Sequence, residues 1–140
     1  MSGETEMEDV MSRTIQTVSD ALPRDVLVKY DYRVTSDAAE SHGSTLWTWH
    51  HTDPETGLRR HVSLAIWVEA DGSIKLVEFW AGASHGRRFV RECILSRPME
   101  IFSMHQALEE TMQKAISRAE ALTDDDLVNT RPFPVGDGAS

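Results

Sequence analysis

An α+β fold with one antiparallel sheet is predicted by three features of this 140-residue sequence. Two stretches with apolar residues every three or four positions, one near each end, indicate amphipathic helices. The segment between them is rich in β-branched and aromatic residues, which favour strands. Turn sequences at 53–57 and 71–72 join those strands through short loops, as antiparallel pairing requires. We expect an N-terminal helix, a meander of four or five strands and a long C-terminal helix packed on the sheet.

The two helices are defined by their apolar stripes. The first is predicted over 6–22, where acidic residues near its start suit the helix dipole and Pro23 ends it. The second is predicted over 98–122, with a proline in its first turn. Residues 1–122 are therefore expected to form a single domain, followed by a flexible tail over 123–140 that contains Asp, Pro and Gly.

The strands follow from alternation and from turn signals. Residues 26–34 alternate apolar and polar side chains, which is typical of a half-buried strand, and 36–44 is expected to be a polar loop. Residues 82–86 are expected to form a loop of small residues. Residues 87–95 fit a short helix and a fifth strand almost equally well. The remaining strands are expected at 45–52, 61–69 and 74–80.

Composition and charge disfavour several classes of protein. The net charge of −9 opposes binding to nucleic acid or anionic lipid, because the long-range force is repulsive. No apolar run approaches the roughly 20 residues that a membrane span needs. The single cysteine, Cys93, cannot form an internal disulfide, and the acidic start of the chain does not resemble a signal peptide. These features predict a cytoplasmic protein.

Strand register predicts which side chains share a face of the sheet. A loop centred on Thr56 would place His51 opposite His61, and an Asp71-Gly72 turn would place Ile66 opposite Val77. One face would then be mostly aliphatic and would support the helices. The opposite face would hold all four tryptophans. We predict it as an interaction or ligand face formed by Trp47, Trp49, His51, His61, Ser63, Trp67, Glu78 and Trp80.

Three explanations of this tryptophan-rich face stay open. A large apolar surface is typical of a protein interface, where tryptophan is enriched among the residues that contribute most binding energy. The face would instead line a pocket if the sheet curved around a ligand beneath a helix. It would be ordinary core if one helix covered each side of the sheet. A register shift of one residue in the first hairpin would move Trp47 and Trp49 to the other side.

Residues 82–86 read Gly-Ala-Ser-His-Gly, which matches the G-x-S-x-G pattern of a nucleophile elbow. An antiparallel sheet and the poor placement of the later histidines, His85 and His105, argue against a serine hydrolase. Basic and polar residues beside this motif form a candidate anion-binding loop, with an internally paired or solvated arginine pair as the favoured alternative. The loop residues are Ser84, His85, Arg87 and Arg88.

Metal binding and catalysis have little support. His51, His61 and Glu78 share the predicted face, and two histidines with a carboxylate can hold zinc or iron. Glu78 would lie too far along the strands to join them, so we predict no metal and no cofactor. Cys93 falls on an apolar stripe and is expected to be a buried structural thiol. No set of catalytic residues is assigned.

The order helix, four or five strands, helix resembles the layout of type III secretion chaperones and related small dimeric proteins. The resemblance is one of pattern and implies no residue roles. The leading prediction is a non-enzymatic interaction module, a homodimer or a chaperone-like adaptor, that uses the aromatic face. The alternative is a small-ligand-binding protein or enzyme with a Trp/His-lined cavity between sheet and helix. Nucleic-acid binding through exposed aromatic residues is disfavoured by the charge.

Overall fold

The computed structural model describes the backbone of residues 3–98 and 101–129 and the side chains of residues 9–98 and 107–128. Within these ranges the chain forms a five-strand antiparallel meander, extended by a two-residue sixth strand, with helices at both ends. The predicted α+β class and meander are confirmed. The elements are α1 (Gly3–Ala21), α2 (Arg24–Lys29), β1 (Arg33–Ser41), β2 (Ser44–Thr52), β3 (Arg59–Val68), β4 (Ile74–His85), β5 (Arg88–Arg97), α3 (Ile101–Ala121), a 3-10 turn (Asp124–Asp126) and β6 (Val128–Asn129).

The core lies between one face of the sheet and the helices. Burial of apolar side chains in this layer is the main stabilising term of the fold. The sheet contributes Trp47, Trp49, Val62, Leu64, Ile66, Val77, Phe79 and Ala81. The helices contribute Val18, Leu22, Leu27, Leu108, Met112, Ala115, Ile116 and Ala119.

The stretch predicted as the first strand begins as the short helix α2. The carbonyl oxygen of Pro23 accepts hydrogen bonds from the N–H groups of Val26 and Leu27, which starts the helical turn. Leu27 is then buried, whereas Val28 is 74% exposed. A strand would have buried alternate valines instead. The strand β1 begins later and runs through the expected loop at 36–44.

The β2–β3 hairpin has a register one residue away from the prediction. Its loop closes where the Asp53 N–H donates to the carbonyl oxygen of Leu58 at 2.8 Å, so residues 54–57 lie inside it. Asp53 Oδ1 also accepts hydrogen bonds from the N–H groups of Glu55 and Thr56. Leu58 is buried in a second, smaller core cluster, which holds it in the strand-like position.

This register decides where two of the tryptophans lie. Trp47 pairs with Leu64 and Trp49 with Val62, so all four residues point towards the helices. Trp47 is 0% and Trp49 is 5% exposed. The predicted face with four tryptophans is therefore wrong, because a shift of one residue reverses every side chain of a strand.

The β3–β4 hairpin keeps the predicted pairing of Ile66 with Val77, but Val68 pairs with Ile74 after a register irregularity. The Glu69 N–H donates to the Ser73 carbonyl oxygen at 2.8 Å, so the loop is one residue longer than the predicted Asp71-Gly72 turn. The loop of three residues closes with Gly72 in the left-handed region, at a φ of +88°.

The ambiguous stretch after β4 is a strand. It forms β5, and β4 itself continues to His85, so the expected loop at 82–86 is reduced to a tight turn at 86–87. Cys93 is exposed on β5, which contradicts the expectation of a buried thiol.

The first residues of the predicted tail pack against the sheet. Leu127 is buried after the 3-10 turn, and Val128 pairs with Phe89 of β5. Residues 130–140, the rest of the tail predicted over 123–140, lie outside the described residues.

Arg60 is a buried charged residue that joins the β2–β3 hairpin to the end of α3. Its Nη1 donates to the carbonyl oxygens of Ala119 and Leu122. Its guanidinium lies 3.5 Å from the Asp53 carboxylate and 3.8 Å from that of Glu120. The last carbonyl groups of a helix need partners from outside it. Arg60 donates these hydrogen bonds, because in the observed register its side chain points towards the helices.

Candidate functional site

The open face is the side of the sheet that points away from α1, α2 and α3. Its strongest feature is a row of residues that are direct cross-strand neighbours, and we call this the basic row. The basic row crosses five strands and consists of Arg33, His50, His61, Gly82 and Arg91. With strands about 4.8 Å apart, it extends for roughly 19 Å across the sheet.

A more apolar region adjoins the basic row. Trp80 lies one step along β4, beside Ser63 of β3 and Cys93 of β5. Trp67 and Leu76 form a cross-strand pair further along the same side. These side chains other than exposed Cys93 are only partly buried, and no described helix covers them. The open face therefore combines a basic end with an aromatic end.

His61 occupies the centre of the basic row. A Cβ added to Gly82 would lie 2.6 Å from His61 Cε1 and 2.5 Å from the Val90 carbonyl oxygen, so only glycine leaves space for the imidazole to lie across the sheet. Burial lowers the pKa of His61, and the positive charges of Arg91 and Arg59 lower it further.

His50 is the neighbour of His61 on β2. Its Nδ1 lies 2.6 Å from the Thr35 hydroxyl oxygen. Burial lowers the pKa of His50, and Arg59 and Arg33 act in the same direction. The pKa values of both histidines are therefore lowered first by burial and then by neighbouring positive charges, which favours their neutral form.

Trp80 connects the two ends of the open face. The Arg91 guanidinium lies over its indole ring, 4.2 Å from the ring centre, in a cation–π contact. The indole N–H donates to Glu78 Oε1 at 3.2 Å, and the Ser96 hydroxyl donates to Glu78 Oε2 at 3.0 Å. The Glu78 carboxylate is thus used in holding Trp80.

In the part of the chain that the structure describes, three arginines on the helix side and its rim are paired with carboxylates, whereas two on the open face are not. On the helix side and its rim, Arg60, Arg88 and Arg118 all form ion pairs with carboxylates. On the open face, neither Arg59 nor Arg91 has a carboxylate within ion-pair distance among the described residues. Arg33, at the edge of the open face, lies 3.8 Å from an Asp31 carboxylate oxygen, so within the described ranges the unpaired guanidinium groups of this face are those of Arg59 and Arg91, in a chain whose acidic residues outnumber its basic ones.

The predicted interaction residues separate into two groups. His61, Ser63, Trp67, Glu78 and Trp80 lie together on the open face. Trp47, Trp49 and His51 lie on the helix side.

Sequence reasoning missed the main members of the basic row. Arg33 and Arg91 were not assigned to the predicted face, Gly82 was considered only as part of the G-x-S-x-G motif, and His50 was expected beneath the helices. The correct register of β2 and β3 could have been found by asking which pairing brings their large apolar residues to the same face. Only the observed register places Trp47 and Trp49 on the same side of the sheet as the core residues Val62, Leu64 and Ile66.

The donor set considered for a metal is divided by the sheet. His51 pairs with Arg60, and its Nδ1 lies 3.7 Å from an Asp31 carboxylate oxygen, whereas His61 and Glu78 face the other way. No group of three or more His, Cys, Asp or Glu suited to a metal occurs among the described residues.

The candidate anion-binding loop is engaged by the chain itself. Ser84 and His85 end β4, Arg87 lies in the turn and Arg88 begins β5. Arg88 Nη1 donates to Asp124 Oδ2 at 2.7 Å, and His85 Nδ1 lies 3.4 Å from Asp124 Oδ1. The hydrogen bond from Arg88 lowers the pKa of Asp124. An internal carboxylate therefore takes the place that an external anion would need.

The G-x-S-x-G sequence runs through the end of β4 into a turn that leads to another strand. A nucleophile elbow requires a strand followed by a helix, so the serine here lacks that setting.

Comparison with known proteins was negative. No protein-family model, curated protein or solved structure matches this chain. Among the described residues, no helix is long and apolar enough to cross a membrane. Function is therefore inferred from the geometry of the open face.

A groove is also present on the helix side of the sheet. It has a volume of about 250 Å³ and lies between α2 and β1. Arg24 and Asp37 flank it, and its apolar lining consists of Leu27, Val28, Tyr32, Val34 and Trp49.

Proposed function

We propose that this protein is a non-enzymatic interaction module that binds another protein through its open sheet face. The observation that carries the proposal is the one-sided packing of the fold. The described helices share one side of the sheet, while Trp67 and Trp80 stay partly exposed on the other. Tryptophan and arginine are both enriched among the interface residues that dominate binding energy.

The shape of the sheet supports face-to-face binding rather than strand addition at β1. The edge strand β1 has two register irregularities, and Ala38 within it has a φ of +55°. Such bulges interrupt the regular row of backbone donors and acceptors that an added strand needs. A partner would therefore contact side chains of the open face.

The proposal is tested by photo-crosslinking of the full chain, followed by binding measurements on the purified partner. A photoreactive residue at Thr48 or Ser63 lies on the open face, and one at Gln113 lies on the exposed side of α3. We expect protein adducts from the first two positions only. The purified partner should bind the Trp80→Ala variant about tenfold or more weakly, because loss of a central aromatic contact removes about 2 kcal/mol.

Lys114→Ala is the matched control, since Lys114 is exposed on α3. Equal crosslinking from Gln113, or unchanged affinity of the Trp80→Ala and Trp67→Ala variants, would contradict the proposal. Adducts between two copies of the chain would show that the partner is a second copy. That outcome would establish that the protein acts as a homodimer. We also propose that the protein is cytoplasmic.

The alternative function, binding of a small ligand, needs a cavity in a different place from the predicted one. Trp47 and Trp49 lie on the opposite side of the sheet from Trp67 and Trp80, so these four residues cannot line one cavity. The groove between α2 and β1, with exposed Val28 on its lining, is a candidate place for a small apolar ligand among the described residues.

A further inference from the structure

We propose that the basic row and Arg59 form a carboxylate-binding site, and that its occupant is a short acidic segment of the partner protein. This inference rests on the proposed function and names the chemistry of the partner. The site lies on the open face, apart from the loop that Asp124 already fills.

Charge is the first support. Arg59 and Arg91 face away from the helices and have no carboxylate within ion-pair distance among the described residues. Arg33 Nε lies 3.8 Å from Asp31, at the far end of the basic row. The basic row thus keeps guanidinium donors for an outside anion, although the chain as a whole carries a net charge of −9.

Preorganisation is the second support. The planar guanidinium of Arg91 is held over the Trp80 ring, and Trp80 is in turn held by Glu78. A guanidinium fixed in one plane loses less conformational freedom when it binds a carboxylate in bidentate geometry. Gly82 beside it carries no side chain, and the imidazole of His61 occupies the space that a Cβ would need, which places it next to Arg91 in the row.

The dimensions fit a peptide segment. An extended polypeptide rises about 3.3 Å per residue, so roughly six residues cover the 19 Å between the two ends of the basic row. An apolar residue of the same segment would reach the partly exposed Trp67 and Leu76.

A protein segment is favoured over a single-stranded nucleic acid by two observations. The Arg91 guanidinium already lies over one face of the Trp80 ring, so that ring face is not free for base stacking. Nucleic acid also brings a long run of charges that the acidic chain repels, whereas an acidic segment places its few charges on the row itself.

The test uses the full-length isotope-labelled protein and three probes of about the same length. The first is a capped peptide of about eight residues, glutamates with one central leucine. The second is its glutamine counterpart, and the third is a thymidine oligonucleotide. Backbone amide shifts locate binding, and titrations give the affinity in the Arg91→Gln, Arg59→Gln and Lys114→Gln variants. Lys114→Gln is matched in charge and lies on exposed α3.

We expect the glutamate peptide to shift the amide signals of His61, Gly82 and Arg91, and the glutamine peptide to leave them unchanged. Arg91→Gln and Arg59→Gln should each weaken binding about tenfold, since each removes a charge-assisted hydrogen bond. Lys114→Gln should bind like the unmodified chain, and added salt should weaken binding.

Three results would overturn the inference: no shift along the basic row, an equal loss in Lys114→Gln, or tighter binding of the oligonucleotide. Failure here is distinguishable from failure of the proposed function. If photo-adducts from Thr48 and Ser63 form equally in the Arg59→Gln and Arg91→Gln variants, the acidic segment is excluded and the interaction face remains. If the unmodified chain forms no such adducts, both proposals fall.

Discussion

Gly82 shows how one residue shapes the open face. Its φ is not in the left-handed region, so the requirement for glycine comes from crowding and not from backbone conformation. The His61 ring and the Val90 carbonyl oxygen both occupy space that a methyl group would need. The basic row is therefore continuous only because this position has no side chain.

We predict that Gly82→Ala lowers the free energy of unfolding by about 2–3 kcal/mol, because backbone must move to admit the methyl group. The matched control is Gly86→Ala. Gly86 has a φ of +62° but nothing within 4 Å of an added Cβ, so the cost there should be about 1 kcal/mol. Chemical denaturation measures both, and a smaller loss for Gly82→Ala than for Gly86→Ala would contradict this account.

His61 gives the protein a calculable dependence on pH. Burial together with Arg91, Arg59 and His50 lowers its pKa in the folded state, so the unfolded state binds the proton more readily. Stability from the neutral form is complete above the unfolded pKa of about 6.5 and is lost as the pH falls through the lower, folded value.

We therefore predict that the free energy of unfolding decreases from about pH 7.5 to about pH 5.5, above the range in which carboxylates become protonated. The His61→Gln variant should show a smaller decrease. His42→Gln, in the exposed β1–β2 turn, is the matched control. Urea titrations at the two pH values measure the effect, and an identical decrease in His61→Gln would exclude His61 as its source.

The helices differ in how far their local sequence determines them. The stripes of α1 and α3 are repeated over several turns, and both helices form close to the predicted bounds. The α2 region has only six helical residues, too few for a helical period to be seen against a run of alternating residues. Its helical state depends on burying Leu27 against the core.

The helical assignment predicts opposite effects for two adjacent residues. Leu27→Ala should cost about 2–4 kcal/mol, because it leaves a cavity in the core. Val28→Ala should change stability by less than about 0.5 kcal/mol, because Val28 is exposed. A strand over 26–34 would bury Val28 and expose Leu27, so a larger loss in Val28→Ala would contradict the structure. Thermal and urea unfolding of the two variants provide the comparison.

The whole molecule is organised by a sheet that separates two pairs of tryptophans. Trp47 and Trp49 are part of the core, and Trp67 and Trp80 face outward. The two pairs therefore report on different properties. The first pair reports on folding, and the second reports on whether the open face is covered.

We predict two classes of tryptophan in acrylamide quenching, one protected and one accessible. The Trp67→Phe/Trp80→Phe double variant should emit at shorter wavelength and lose the accessible class. Light scattering on the same samples supplies the mass at each concentration. If Trp67 and Trp80 become accessible only on dilution to a monomer, a second copy covers the open face. One quenching class in the unmodified monomer would contradict the described exposures.

The fold class follows from local information, whereas the composition of each face does not. The period of 2 in β2 and β3 and the turn at 53–57 were read correctly, yet half of the aromatic site was placed on the wrong side. The error lies in the centre of the hairpin loop, which was predicted at Thr56, whereas the buried Leu58 pairs with Asp53 and shifts the register by one residue.

Helices α1 and α3, strands β2 to β4 and their order are encoded in this sequence by periodicity and by turn residues, which act over a few positions. The basic row is different, since it consists of side chains from five strands that meet only when every hairpin has closed. Hairpin closure depends on hydrogen bonds at Asp53 and on burial of Leu58 against residues far along the chain. Because a shift of one residue exchanges the two faces, the candidate site depends on tertiary packing that no local pattern contains.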